Sequence, residues 1–336
     1  MSKRKLSKQQ QSRIAQNQQS RQTRNSTPNK SPESNQLGAE CSGLVISHFG
    51  QQLEVESTSE ANIGQLYRCY QRSNLPRLVT GDTVIWRQGG PNSGVIVALD
   101  SRQNALSRPN SLGELKPIAS NIDLVMAVIA PVPEPFMNMV DRYLVAIECL
   151  NLQPILVVNK LDLINPLNRE NIDNMVNIYE KIGYSVFQVS AQEGTGIDSL
   201  MQALKSRTGV FVGQSGVGKS SLINALGAEF RAKTGVLSVG KEKGTHTTTT
   251  SRLFHLKDCN LIDSPGIRDF SLWHIDDQQL FDGFTEFAKF AGQCKFRDCS
   301  HQIEPGCALL TASEQGDIFT ERLESYLHIK QSLASR

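Results

Sequence analysis

The chain has 336 residues, 39 % hydrophobic and 20 % charged, with a formal net charge of +2 from 35 Lys and Arg against 33 Asp and Glu. That is too long for one ordinary core, so two or three domains are expected, while no apolar run approaches the ~20 residues of a spanning helix. Seven cysteines, an odd number in so long a chain, and a polar Met-Ser-Lys-Arg-Lys start exclude secreted, disulfide-built and membrane classes and point to a cytoplasmic protein.

Residues 1–37 hold Lys3, Arg4, Lys5, Lys8, Arg13, Arg21, Arg24 and Lys30 against Glu33 alone, so this segment carries +7 and the remainder −5. It is rich in Gln, Ser and Asn, with Leu6, Ile14 and Leu37 as its large aliphatic residues. Too little apolar surface is present to offset the entropy of ordering, and disorder is expected. A basic arm beside an acidic body points to an anionic partner, most economically nucleic acid; the alternative is a tail that only solubilises. From Ser42 five short runs read as strands: Gly43–Ser47, Gln52–Glu56, Gln65–Tyr70, Asp82–Arg87 and Gly94–Leu99. With no helix long enough to cover them they imply a small closed barrel, and the expected form is the five-stranded OB-fold, whose usual cargo is oligonucleotide. A barrel that only packs on its neighbour is the alternative.

After Pro117 strands alternate with amphipathic helices. Ile122–Ala130, Pro154–Val158, Tyr184–Val189 and Val210–Val212 read as strands, and Asn138–Leu150, Asn168–Ile182, Ile197–Lys205 and a segment from Lys219 as helices. This predicts a doubly wound α/β domain with a mostly parallel sheet. From about Leu280 a small helical region with one cysteine-dense loop is expected.

The chemistry lies at the strand ends. Gly213, Gln214, Ser215, Gly216, Val217, Gly218, Lys219 and Ser220, with Ser221 behind them, match the phosphate-binding loop G-x-x-x-x-G-K-[ST] between a strand and a helix. Its glycines let backbone N–H groups face phosphates at a helix N-terminus; Lys219 would meet the β- and γ-phosphates and Ser220 a Mg²⁺ ion. Asn159, Lys160, Leu161 and Asp162 follow another strand, and the Asp162 carboxylate can accept the two N–H donors that guanine presents and adenine does not. Ser190 and Ala191 would brace the ring. Asp263-Ser-Pro-Gly266 reads as the loop that senses Mg²⁺ and the γ-phosphate, and the threonine run 247–250 offers a second Mg²⁺ contact from Thr247 or Thr248. Together these predict a GTP-binding domain. Their order is permuted: the base motif at 159 precedes the phosphate loop at 213 and Asp263, so the last switch runs almost directly into the C-terminal region and could report nucleotide state to it.

Cys294, Cys299, His301 and Cys307 form C-x4-C-x-H-x5-C, four ligands in 14 residues, as in a closed structural zinc site. Cys41, Cys69, Cys149 and Cys259 read as core residues, and His48, His255, His274 and His328 as structural or surface residues. The expected segments are the basic tail (1–37), an RNA-binding OB-fold (38–112), a circularly permuted GTPase domain (113–278) and a small, mainly helical zinc domain (279–336).

The permuted motifs, the barrel in front and the Cys-Cys-His-Cys knuckle behind resemble the RsgA (YjeQ/YloQ) family of small ribosomal subunit biogenesis GTPases, along the whole chain. The resemblance implies binding to the immature 30S subunit through 16S rRNA, GTP hydrolysis to GDP that the subunit stimulates, coupling of hydrolysis to release, a bound Mg²⁺ and one structural Zn²⁺, and a monomer. Where many GTPases carry a water-orienting Gln after the Asp263 loop, this chain has Ile267. Gly244-Thr-His-Thr-Thr-Thr resembles the family's Gly-x-His-Thr-Thr-Thr motif, whose histidine is the favoured substitute, which assigns His246 to the attacking water; contact with the partner, or positioning of water by backbone groups of the threonines, are the alternatives. The competing functional reading is a GTP-switched factor acting on another RNA, such as tRNA or the large subunit.

Overall fold

A computed structural model describes residues 37–109, 114–233, 251–263 and 275–334. The basic tail, apart from its last residue, lies outside them. Alternation builds the barrel. In β2 (Gln52–Ser57) Leu53 and Val55 are buried while Glu54 and Glu56 face outward. With β1 (Glu40–Phe49), β3 (Leu66–Gln71), β4 (Thr83–Gly90) and β5 (Ser93–Leu99) it forms a sheet of order β1-β2-β3-β5-β4 that closes by β1–β4 pairing. Closure removes the exposed edges. Val45, Val55, Trp86 and Ile96 fill the interior, and the Trp86 ring lies 4.4 Å from that of Tyr67.

A hairpin that the sequence pattern did not reveal follows, β6 (Ala105–Pro109) with β7 (Leu115–Ser120). Asp82 ties it to the barrel. This fully buried carboxylate accepts from Arg102 Nε at 2.7 Å and NH2 at 2.8 Å, from Ser120 Oγ at 2.7 Å and from the Val79 N–H at 2.7 Å. Four donors offset its desolvation, and the bond to Asp82 raises the Arg102 pKa further above its ordinary value.

The α/β unit comprises β8 (Leu124–Ile129), α1 (Met137–Glu148), β9 (Gln153–Val158), α2 (Arg169–Ile182), β10 (Ser185–Gln188), α3 (Ile197–Leu204), β11 (Thr208–Val212), α4 (Lys219–Lys233), β12 (Arg252–His255) and β13 (Asn260–Asp263). Its sheet runs β10-β9-β8-β11-β13 in parallel, with β12 antiparallel on the flank. Every residue of β8 is buried, as a strand covered on both faces requires. Beyond β12 the sheet continues into the barrel wall through a single registered pair, Ser47 of β1 with Arg252.

The C-terminal region holds α5 (Asp277–Asp282), a 3₁₀ segment Thr285–Phe290, α6 (Ala308–Gln315) and α7 (Thr320–Ala334). Asp276 starts α5 with a capping box closed by Gln279. Helix α7 packs on α1 around a buried ionic cluster. Arg322, fully buried, bonds Asp141 of α1, reaches Glu286 at 2.7 and 3.1 Å, and lies 4.3 Å over the Phe284 ring; Tyr179 of α2 donates to Asp141 at 2.6 Å. Burial pushes the Asp141 carboxyl up, and Arg322 opposes that shift.

Candidate functional site

The carboxyl ends of β9, β10 and β11 deliver their following residues, and that of β13 its last residue Asp263, to one edge of the sheet, where open α/β folds bind ligands. After β11 the chain turns through Gly213–Gly218 into α4. Gly213 has φ +135°, and a Cβ there would stand 2.3 Å from the Val128 carbonyl oxygen; Gly218 has φ +94°, with its Cβ position 2.3 Å from Asn159 Nδ2. Only glycine fits at either place. Ser215, Gly216 and Ser220 are exposed on the rim, Ser221 lies on the first turn of α4, and Val217 is buried beneath. The Lys219 ammonium donates to the carbonyls of Gly213 and Gln214, both at 2.6 Å, and so lies over its own loop.

Asn159 joins three motifs. It is 1 % exposed; its Nδ2 donates to the Val217 carbonyl at 2.9 Å and its Oδ1 accepts from the Ala191 N–H at 3.1 Å. The base loop, the phosphate loop and the Ser190–Ala191 loop are therefore one hydrogen-bonded assembly. Lys160, in the left-handed region at φ +63°, crosses the phosphate loop and donates to Val132 O at 2.9 Å and Gly216 O at 2.5 Å. Ser190 Oγ donates to Asp162 Oδ1 at 2.5 Å and accepts from the Glu193 N–H at 3.2 Å, which orients the carboxylate expected to read guanine. Leu161 opens the 3₁₀ turn that presents it. Asp263 ends β13 opposite Arg252. His246, Thr247, Thr248 and Gly266 lie outside the described residues.

A second constellation is built by the C-terminal loop. The ligand atoms of Cys294, Cys299, His301 and Cys307 all fall within 4.8 Å of one another. His301 turns Nδ1 toward the thiols, 3.6 Å from Cys294 Sγ and 3.4 Å from Cys307 Sγ. A tetrahedron with metal–sulfur bonds of ~2.3 Å and metal–nitrogen bonds of ~2.1 Å has edges of about 3.5–3.8 Å, so these residues fit one zinc ion. The Ala308 N–H also donates to Cys294 Sγ at 3.3 Å, the contact a thiolate favours.

The RsgA GTPase family profile matches residues 99–273, and the small ribosomal subunit biogenesis GTPase RsgA of Hahella chejuensis is 52 % identical over 338 residues, covering 99 % of this chain and 97 % of that protein. The chain belongs to the RsgA GTPase family. The RsgA of Pseudomonas putida is 51 % identical over 303 residues, 90 % of this chain and 88 % of its own. Among solved structures, YjeQ from Thermotoga maritima superposes with a TM-score of 0.72 at 30 % identity over 89 % of this chain and all of that one. YloQ, a circularly permuted GTPase, gives 0.69 at 27 % identity over 89 % of this chain and 96 % of that one. The expected fold, a barrel followed by a permuted α/β domain, is borne out, and this RsgA-family protein is an enzyme that hydrolyses GTP.

Sequence reading did not find the partners of Asn159 or the Asp141–Arg322–Glu286 cluster, whose members are 36 to 181 positions apart. His255, expected as a structural or surface residue, bonds Glu56 of β2 and Asn260 of β13.

Proposed function

We propose that this protein is a GTP hydrolase of small ribosomal subunit assembly: it binds the 30S subunit through 16S rRNA, acts late in maturation, is stimulated by the subunit, and leaves after hydrolysis. The observation that carries this reading is the joining of base loop and phosphate loop through Asn159 in a chain 52 % identical to a protein named for small subunit biogenesis. The work is divided among the barrel (38–112), the GTPase domain (113–278) and the zinc domain (279–336), in a cytoplasmic monomer.

Asp162 holds guanine by two N–H bonds, with Asn159 and Ser190 fixing its loop and Ala191 against the ring. The backbone N–H groups of 213–218, the ammonium of Lys219 and the N-terminus of α4 hold the phosphates. Ser220, Asp263 and Thr247 or Thr248 would hold Mg²⁺, which neutralises charge on the β- and γ-oxygens. Gly266 supplies a γ-phosphate contact and His246 orients the attacking water. Cys294, Cys299, His301 and Cys307 would hold zinc; with four ligands the site is closed, and its role is to fix the loop.

GTP turnover by the purified protein, alone and with isolated small subunits, large subunits or tRNA, tests this. Stimulation by the small subunit alone is expected, with Lys219→Ala inactive throughout. Equal stimulation by large subunits or tRNA would transfer the assignment to another RNA.

A further inference from the structure

Strand β12 joins the threonine segment to β13 and Asp263, and its attachment to the barrel is made mainly by side chains. Ser47 Oγ and Thr80 Oγ1, both on buried residues, donate to the Ser251 carbonyl at 3.1 and 3.3 Å. Arg252 pairs with Glu54 at 3.3 Å, and His255 Nε2 meets Glu56 Oε2 at 2.8 Å. The two carboxylates are successive outward residues of β2, whose intervening Val55 is fully buried in the barrel. On its other side His255 Nδ1 bonds Asn260 of β13 at 2.7 Å. Strand pairing aligns Glu54, Ser47, Arg252 and Asp263 in one row across four strands. A cation thus stands between a barrel carboxylate and the carboxylate that ends β13, and a histidine is held at the other end of the same four-residue strand.

We propose that Arg252 and His255, held by Glu54 and Glu56, are positioning residues for GTP hydrolysis: they set the placement of β12 and of Asp263 beside it, so that events on the barrel alter turnover. This deepens the reading above, since it rests on Asp263 serving the GTP site and on the barrel meeting the partner. The physical requirement is modest. A short strand with one registered pair on its barrel side can shift by a fraction of a bond length if its side-chain anchors change, and catalytic groups are sensitive to such shifts.

The His255 anchor also carries a pH signature. Glu56 is the charged group facing the ring among the described residues; Asn260 from β13 is neutral, and Arg252 on the same strand is itself paired with Glu54. The bond to Glu56 raises the His255 pKa above 6.5, against the effect of burial. The ion pair is therefore complete below 6.5 and is lost as pH rises through the raised value.

The test is steady-state GTP turnover by the full chain between pH 6 and 9, basal and with isolated small ribosomal subunits, for the parent, Glu56→Gln, His255→Gln, their double variant, Arg252→Gln and Arg252→Lys. Each Gln variant should lower kcat by about 3- to 10-fold with KM for GTP within about twofold, the double variant should be no worse than the worse single one, and Arg252→Lys should recover part of the loss. The parent should show a fall in kcat as pH rises through the raised His255 pKa, a fall that Glu56→Gln and His255→Gln lack. Thermal melting separates unfolding from mispositioning, and Arg252→Lys supplies a readout if a Gln variant is unstable. Parental kcat and an unchanged pH profile in folded Gln variants would overturn the proposal. The basal comparison is independent of the partner, so absent stimulation of the parent by small subunits would refute the ribosomal reading while leaving this inference to be decided by basal kcat.

Discussion

Asn159 shows how much one side chain can hold. Its amide satisfies a carbonyl of the phosphate loop and an N–H of the Ser190–Ala191 loop, and it is almost fully buried. Removing it leaves the buried Val217 carbonyl unpaired, at about 1–3 kcal/mol, and frees the part-buried Ala191 N–H as well. Asn159→Ala should therefore weaken GDP and GTP binding together, by about tenfold or more, in a titration with fluorescent nucleotide. Asp162→Asn is a different perturbation: it keeps the turn but replaces an acceptor-only carboxylate, and should shift preference from guanine toward xanthine nucleotides in the same assay. Burial also sorts the cysteines. It pushes the Cys69 thiol up to about 12, so Cys69 should resist alkylation in the native protein at pH 8 and react on unfolding, as mass spectrometry of labelled peptides would show.

At the scale of elements, the C-terminal helix α7 is joined to α1 and the 3₁₀ segment by Arg322 with Asp141 and Glu286. Two carboxylates and one guanidinium in a buried site are costly to assemble and costlier to break singly. Arg322→Ala should destabilise by about 3–5 kcal/mol in urea unfolding, because Asp141 and Glu286 are left facing each other in a low dielectric. The Cys-Cys-His-Cys loop, proposed to hold zinc, is another such element. Cys294, Cys299 and His301 are only partly buried, and the helix next after them, α6, has eight residues. Chelation, or Cys307→Ser, should release one zinc per chain and raise hydrogen exchange over 294–316, with the α/β core protected as before.

At the scale of the whole molecule, the sheet is continuous from β10 to the far wall of the barrel, so the barrel and the proposed GTP site share one hydrogen-bonded frame. Among the described residues the joint carries one registered pair between β1 and β12, two hydroxyl contacts and two ion pairs, beside an apolar cluster that Ile46 of β1 shares with Leu253 and Ile262. The apolar cluster holds the two parts together, whereas the polar anchors at its margin can change partners at smaller cost. A nucleotide-dependent difference in hydrogen exchange is therefore expected in 251–263 and in β2 together, while the buried strand β8 stays unchanged between GDP and a GTP analogue.

Much of this was determined by local sequence. The phosphate loop, the base loop and the Cys-Cys-His-Cys spacing are short motifs legible within a few positions, and the positive φ of Gly213 and Gly218 is a local property, although Val128 and Asn159, which exclude a side chain there, are distant in sequence. Most strands of barrel and sheet were legible from period-two alternation and from continuous apolar runs such as Leu124–Ile129, but the four-residue strand β12 was not. The β6–β7 hairpin was not, since its residues are mostly half-buried and Pro117 interrupts the pattern. Nor could pairing of distant charges be read, because sequence separation says nothing about which outward residues of two strands will face each other. Glu56 and His255 are 199 positions apart and became partners only when pairing set β2 and β12 on either side of β1. Sequence alone determined the chemistry available at each loop; the tertiary structure decided which side chains share a desolvated space, and so which of them act together.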